Sequence, residues 1–99
     1  MAGRAGMTGE TIRHDAAARR YSLVIDGTEA YLTYERPADG RMHITHTIVP
    51  DVIGGRGLGK RLVARALEDA LAGGDRISSS CWFATALIEK TPAWAAQMA

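Results

Sequence analysis

The chain has 99 residues, 46% of them hydrophobic and 23% charged, with a formal net charge of +1, which suits one soluble domain with a modest core. So balanced a charge gives no bulk argument for nucleic acid or a membrane surface, and neither is expected as a partner. A single cysteine, Cys81, excludes an internal disulfide and argues against a cysteine-based zinc site, so no metal is expected.

The opening segment, MAGRAGMTGE, is small and polar. It lacks the apolar core of a secretory leader, so a loose tail over 1–11, a single domain over 12–99 and a cytoplasmic location are expected. A short polar stretch surrounds His14. Tyr21 to Ile25 reads as a strand, followed by the turn dipeptide Asp26-Gly27. Ala30 to Tyr34 is a second strand, closed by Pro37 and Ala38-Asp39-Gly40. Arg41 to Val49 is a third, and strict alternation puts Met42, Ile44, His46 and Ile48 on one face. The short turns predict an antiparallel meander.

Pro50 ends the third strand and a loop runs to Gly57. The period then becomes helical, with Leu58, Leu62, Val63, Ala66, Leu67, Ala70 and Leu71 on one face, up to Gly73-Gly74. Arg76 to Ser80 is a fourth strand and Trp82 to Lys90 a second helix. Thr91-Pro92 reads as a cap and first helical position, opening a last short helix. The order is β-β-β-α-β-α-α. It predicts an α+β, mixed α/β fold in which the meander is followed by a right-handed β-α-β unit, whose strands pair in parallel, and then by short C-terminal helices.

Strand, glycine loop, helix is an arrangement that aims a helix's unpaired N–H groups at one point. Gly55, Gly57 and Gly59 remove side chains that would block close approach, and allow positive φ. Arg56, Lys60 and Arg61 crowd a helix end where the dipole favours acidic residues, and Arg61 repeats its charge at Arg65. Local rules broken in this way point to an anionic ligand, most simply a phosphate. The spacing Gly54-x4-Gly59-Lys60 nearly matches a nucleotide-binding P-loop, but Arg61 stands where the metal-binding Ser or Thr would be. A dinucleotide fingerprint fails as well, because its third glycine would fall on Lys60.

His46-Thr47-Ile48-Val49-Pro50, then Gly54-Gly-Arg-Gly-Leu-Gly59-Lys-Arg-Leu62, resembles the acetyl-CoA motif of GCN5-related N-acetyltransferases (GNAT). The motif's two glycines fall on Gly57 and Gly59, while Gly54 replaces the family's first Gln or Arg and Arg56 offers a cation nearby. Ser80-Cys81-Trp82-Phe83 and Thr91-Pro92 extend the likeness to a minimal single-domain branch, over about residues 12 to 95. The resemblance implies a mixed sheet splayed near the third strand, with acetyl-CoA as donor. The pantetheine arm would lie along the backbone of Ile48 and Val49, and the pyrophosphate on Gly55, Arg56, Gly57, Leu58, Gly59, Lys60 and Arg61.

Acetyl transfer needs a neutral amine, a polarised thioester carbonyl and a stabilised leaving thiolate. Cys81 precedes a helix, where a thiolate is favoured, so it is a candidate nucleophile or a candidate acid beside the coenzyme sulfur. A small buried hydrophobe is its structural alternative. His46 is a candidate base for Cys81 or for the amine, with a satisfied core histidine as its alternative. Trp82 and Phe83 read as core or pocket wall. The expected activity is N-acetylation of a primary amine on a protein lysine, a peptide or a small molecule. The alternative is a coenzyme-A-binding module with little catalysis, acting as a sensor or protein partner. A monomer or weak homodimer is expected.

Overall fold

A computed structural model describes residues 11–98, so the expected 1–11 tail, apart from Thr11, lies outside the described residues. Strands β1 (Arg13–Asp15), β2 (Arg20–Ile25), β3 (Thr28–Glu35), β4 (Arg41–Ile48) and β5 (Arg76–Ser79) form one sheet in the order β1-β2-β3-β4-β5. The first four run antiparallel and β5 joins β4 in parallel. Helix α1 (Leu58–Ala72) makes the crossover, and α2 (Trp82–Lys90) and α3 (Pro92–Ala95) follow β5. The fold is the mixed α+β arrangement that the chain pattern predicts, with one strand, β1, added at the edge.

Period-2 alternation builds one face of the sheet. Tyr21, Leu23 and Ile25 of β2, Ala30, Leu32 and Tyr34 of β3, Met42 and Ile44 of β4 and Ile77 of β5 are all buried. They meet Leu62, Val63, Ala66, Leu67 and Ala70 of α1, which recur at helical spacing, and Ala84 and Ile88 of α2. Each fully buried Leu or Ile contributes roughly 1.5–3 kcal/mol through removal from water. The opposite face carries no helix packed on it among the described residues, and Val24 and Ile48 stand exposed there.

The turns follow the residues. Asp26 (φ 51°) and Gly27 (φ 80°) both take positive φ, as a two-residue hairpin with strand twist requires. Past α1, Gly74 (φ 83°) takes the left-handed position. Gly74 N–H then donates to Leu71 O (3.0 Å) and Asp75 N–H to Ala70 O (2.8 Å), a Schellman ending. Pro92 occupies the first turn of α3 and Thr91 is its N-cap as expected, with Trp94 and Ala95 N–H donating to Thr91 O, but the Thr91 side chain makes no cap bond. Its Oγ1 donates back to Leu87 O of α2 (3.0 Å) instead. The chain end closes the outer edge of β5: Ile77 N–H donates to Gln97 O (3.0 Å), and the Arg76 guanidinium donates to Gln97 O and Met98 O.

Candidate functional site

β4 is not a regular strand. Tyr34 lies opposite Ile44, but Thr33 lies opposite His46, so Thr45 is an extra residue, a β-bulge. Thr45 Oγ1 donates to Thr33 O (3.1 Å) and shares a hydrogen bond with Thr33 Oγ1 (2.7 Å), which pins the bulge in place. One inserted residue exchanges the faces of everything beyond it. His46, expected beside Met42 and Ile44, instead turns to the helix-free face, where it is exposed. Ile48 follows it there. Thr47, opposite the buried Leu32, takes the helix-side face.

The bulge also marks where the sheet opens. The β4–β5 ladder stops at Ile44–Ser79, with Ser80 N–H donating to Ile44 O (3.0 Å). Beyond it, β4 runs on towards Val49 while the segment after β5 turns into α2. A cavity of about 490 Å³ occupies this divergence. One wall is Thr47 of β4 and Val49 just past its end. A second is the loop and first turn of α1: Gly54, Gly55, Gly57, Leu58, Gly59 and Lys60. The third comes from α2 and the residue before it: Cys81, Trp82, Phe83 and Leu87.

The loop is held by a 3-10 turn, Asp51–Ile53, whose Ile53 is buried. Gly55 (φ 77°) and Gly57 (φ 71°) sit in the left-handed region that favours glycine. Gly57 is the N-cap of α1 and supplies no side-chain cap, so the amides ahead of the first helical bond, Arg61 N–H to Gly57 O (3.1 Å), stay available. Gly59 differs from the expectation of positive φ. It is helical and buried, and a Cβ there would stand 3.0 Å from Phe83 Cε2 and 3.5 Å from Val49 Cγ2. Its hydrogen lets α1 and α2 meet at the cavity. No acidic residue lies in the first turn of α1, and Lys60 reaches the cavity wall. Arg56 and Arg61 are exposed beside the loop. Arg65 is not part of this positive cluster, because Asp69 pairs with it at 3.1 Å.

Cys81 is half-buried and is the N-cap of α2. Ser79 fixes its backbone from both sides: Cys81 N–H donates to Ser79 Oγ (3.0 Å), and Ser79 Oγ donates to Cys81 O (2.9 Å). Its Sγ lies 3.7 Å from Thr47 Oγ1, as a thiol donating to the hydroxyl. Sequence reasoning missed Thr47 and Ser79, because the alternation of β4 hides the bulge and a serine run shows no preferred member. Trp82 lines the cavity yet is 82% exposed, and its ring meets Phe83 edge-on at 6.1 Å. His43, given no role by the sequence, bonds Ser78 Oγ through Nδ1 (2.7 Å) on the helix-free face.

At the far end of α1, Tyr21 donates to Asp69 Oδ2 (2.8 Å). His14 stacks flat on Tyr21 at 4.1 Å and bonds the Tyr34 hydroxyl at 2.7 Å. Burial, then the Asp69 hydrogen bond and charge, push the Tyr21 phenol well above its ordinary value of 10.0, and burial raises Tyr34. Among the described residues no group of three or more His, Cys, Asp or Glu stands close enough to hold a metal, and no helix is long and apolar enough to cross a membrane.

Comparison with known proteins agrees with this geometry. A solution structure of a GCN5-like protein from Staphylococcus aureus superposes with a TM-score of 0.74 at 27% identity, covering 94% of this chain and 91% of that one. Protein NATD1 of Bos taurus is 29% identical over 83 residues, 82% of this chain and 74% of the relative. Protein NATD1 of Xenopus tropicalis is 28% identical over 82% and 76% respectively. The family model described as GCN5-related N-acetyl-transferase matches residues 20–98, and the chain belongs to that family.

Proposed function

We propose that the protein transfers an acetyl group from acetyl-CoA to a primary amine, with Cys81 as the acyl-accepting nucleophile. One observation carries the reading: a single cavity joins the uncapped glycine end of α1 to the Cys81 thiol. The fit to the coenzyme is chemical as well as spatial. Amides around Gly57 and the Lys60 ammonium suit the pyrophosphate, aided by Arg56 and Arg61 at the rim. Val49, Leu58, Phe83 and Leu87 suit the apolar parts of the pantetheine arm, whose amides would meet the unpaired edge of β4 at Ile48 and Val49.

Cys81 releases its proton to solvent, and the thiolate Sγ attacks the thioester carbon. The bond from that carbon to the coenzyme sulfur breaks, and the coenzyme leaves as a thiolate. The amine then attacks the acetyl-cysteine carbon, and Cys81 regains its thiolate. His46, on the helix-free face, takes the amine proton from that side rather than serving Cys81.

Incubation with acetyl-CoA followed by intact-mass and peptide analysis tests this. The expected result is one acetyl group on Cys81, removed on adding an acceptor amine as the coenzyme accumulates. Binding of the coenzyme with no acetyl-cysteine and no amine-dependent release of coenzyme would replace the proposal with a binding module. Stabilisation by ATP but not by coenzyme A would overturn both.

A further inference from the structure

The Thr45 bulge does more than move His46 away. It delivers Thr47 to the cavity, and this inference rests on the acetyl-transfer reading of that cavity. Thr47 Oγ1 and Cys81 Sγ face each other at 3.7 Å across the mouth of the split between β4 and α2. Ser79 holds the Cys81 main chain, which leaves the side chain to be placed by what lies opposite.

We propose that Thr47 is a positioning residue for the Cys81 sulfur and donates a hydrogen bond to its anionic form. A neutral thiol donates its S–H to the threonine oxygen. Once the sulfur is charged, the same hydroxyl rotates and donates O–H to it, because threonine carries both a donor and lone pairs. Bonds to a charged acceptor are the stronger kind. Among the described residues no carboxylate lines this cavity, whose one charged lining residue is Lys60 of α1, and the first turn of α2, which Cys81 precedes as N-cap, has no acidic residue. From β4, His46 points to the opposite face and Thr47 is the group presented. The pair therefore depends on the bulge: were Thr45 paired with Thr33 in a regular ladder, His46 would lie opposite Leu32, where Thr47 stands.

Cys81 is the only cysteine in the chain, so alkylation of the intact, unliganded protein by iodoacetamide at neutral pH reads this thiol alone. Thr47→Val keeps the shape and removes the donor, and it slows alkylation by about 3- to 10-fold, the loss of part of a charge-assisted bond. Thr47→Ser restores the rate to within about twofold. His46→Ala leaves the alkylation rate where it is. Thr47→Ala serves the same comparison should the valine variant fold poorly, with circular dichroism checking both. Wild-type alkylation in Thr47→Val, or an equal slowing in His46→Ala, would overturn the assignment. Acetyl-CoA is absent from this assay. A failure of coenzyme binding would therefore remove the acetyl-transfer reading while leaving the Thr47–Cys81 result to stand or fall separately.

Discussion

Gly57 carries two requirements that a substitution can separate. Its φ of 71° is strained for any residue with a Cβ, yet a Cβ there would meet nothing within 4 Å. Gly57→Ala therefore costs about 1–2 kcal/mol in backbone strain, and still admits a phosphate. Gly57→Glu carries the same strain and adds a carboxylate to the anion site, so it loses coenzyme binding altogether. Calorimetry on the two variants distinguishes these effects, and equal affinity for coenzyme A in both would contradict the cradle. Gly59 is constrained by packing instead. Gly59→Ala places its Cβ against the Phe83 ring and costs about 1–3 kcal/mol by overpacking, read as a lowered urea midpoint. The glycines were legible in the sequence as a group. Positive φ is the expectation for Gly55, Gly57 and Gly59 alike and holds for the first two, whereas the reason for Gly59, a helix contact, was not legible because it depends on where Phe83 of α2 packs.

Elements of strong period read correctly from the sequence, and those decided by tertiary contacts did not. The buried stripe of α1 and the alternation in β2 and β3 are local patterns, and each became the expected element. β1 is three polar residues with no pattern of its own. Its place comes from pairing with β2, with His14 lying on Tyr21, and from the His14 bond to Tyr34 of β3, contacts that no local pattern in the chain announces. The bulge in β4 was hidden for a related reason. Met42, Ile44, His46 and Ile48 alternate without a break, and only the pairing with β3 shows the extra residue. The same tyrosine cluster sets an alkaline limit on stability. Tyr21 is neutral when folded, with its pKa raised above the ordinary 10.0. Folding thus holds this proton more tightly than the unfolded chain does. The resulting stabilisation is complete below pH 10 and is lost as pH rises beyond it. Urea midpoints measured from pH 8 to 11 fall in the wild type and fall less steeply in Tyr21→Phe. Identical slopes would show that the Tyr21–Asp69 bond does not link protonation to folding.

Across the whole molecule, the sheet divides two kinds of work. Its helix side holds the core and the cavity, and its helix-free side presents His46 beside the opening between β4 and β5. Family membership could be read from the glycine turn together with the Ser-Cys-Trp-Phe segment, since those motifs are contiguous. The side of the sheet on which each catalytic candidate stands could not, because a single inserted residue determines it. A small domain also makes ligand binding easy to detect. Coenzyme A at about 100 times its dissociation constant adds about 2.7 kcal/mol, which raises the unfolding temperature by on the order of 10 °C for a chain of this size. The most direct measurement is an amide chemical-shift titration of the isotope-labelled protein with acetyl-CoA, run in parallel with ATP. The account predicts that acetyl-CoA shifts Gly55, Gly57 to Lys60, Val49 and Cys81 together while ATP leaves them in place. Shifts with ATP alone, or acetyl-CoA shifts confined to the helix-free face, would contradict it.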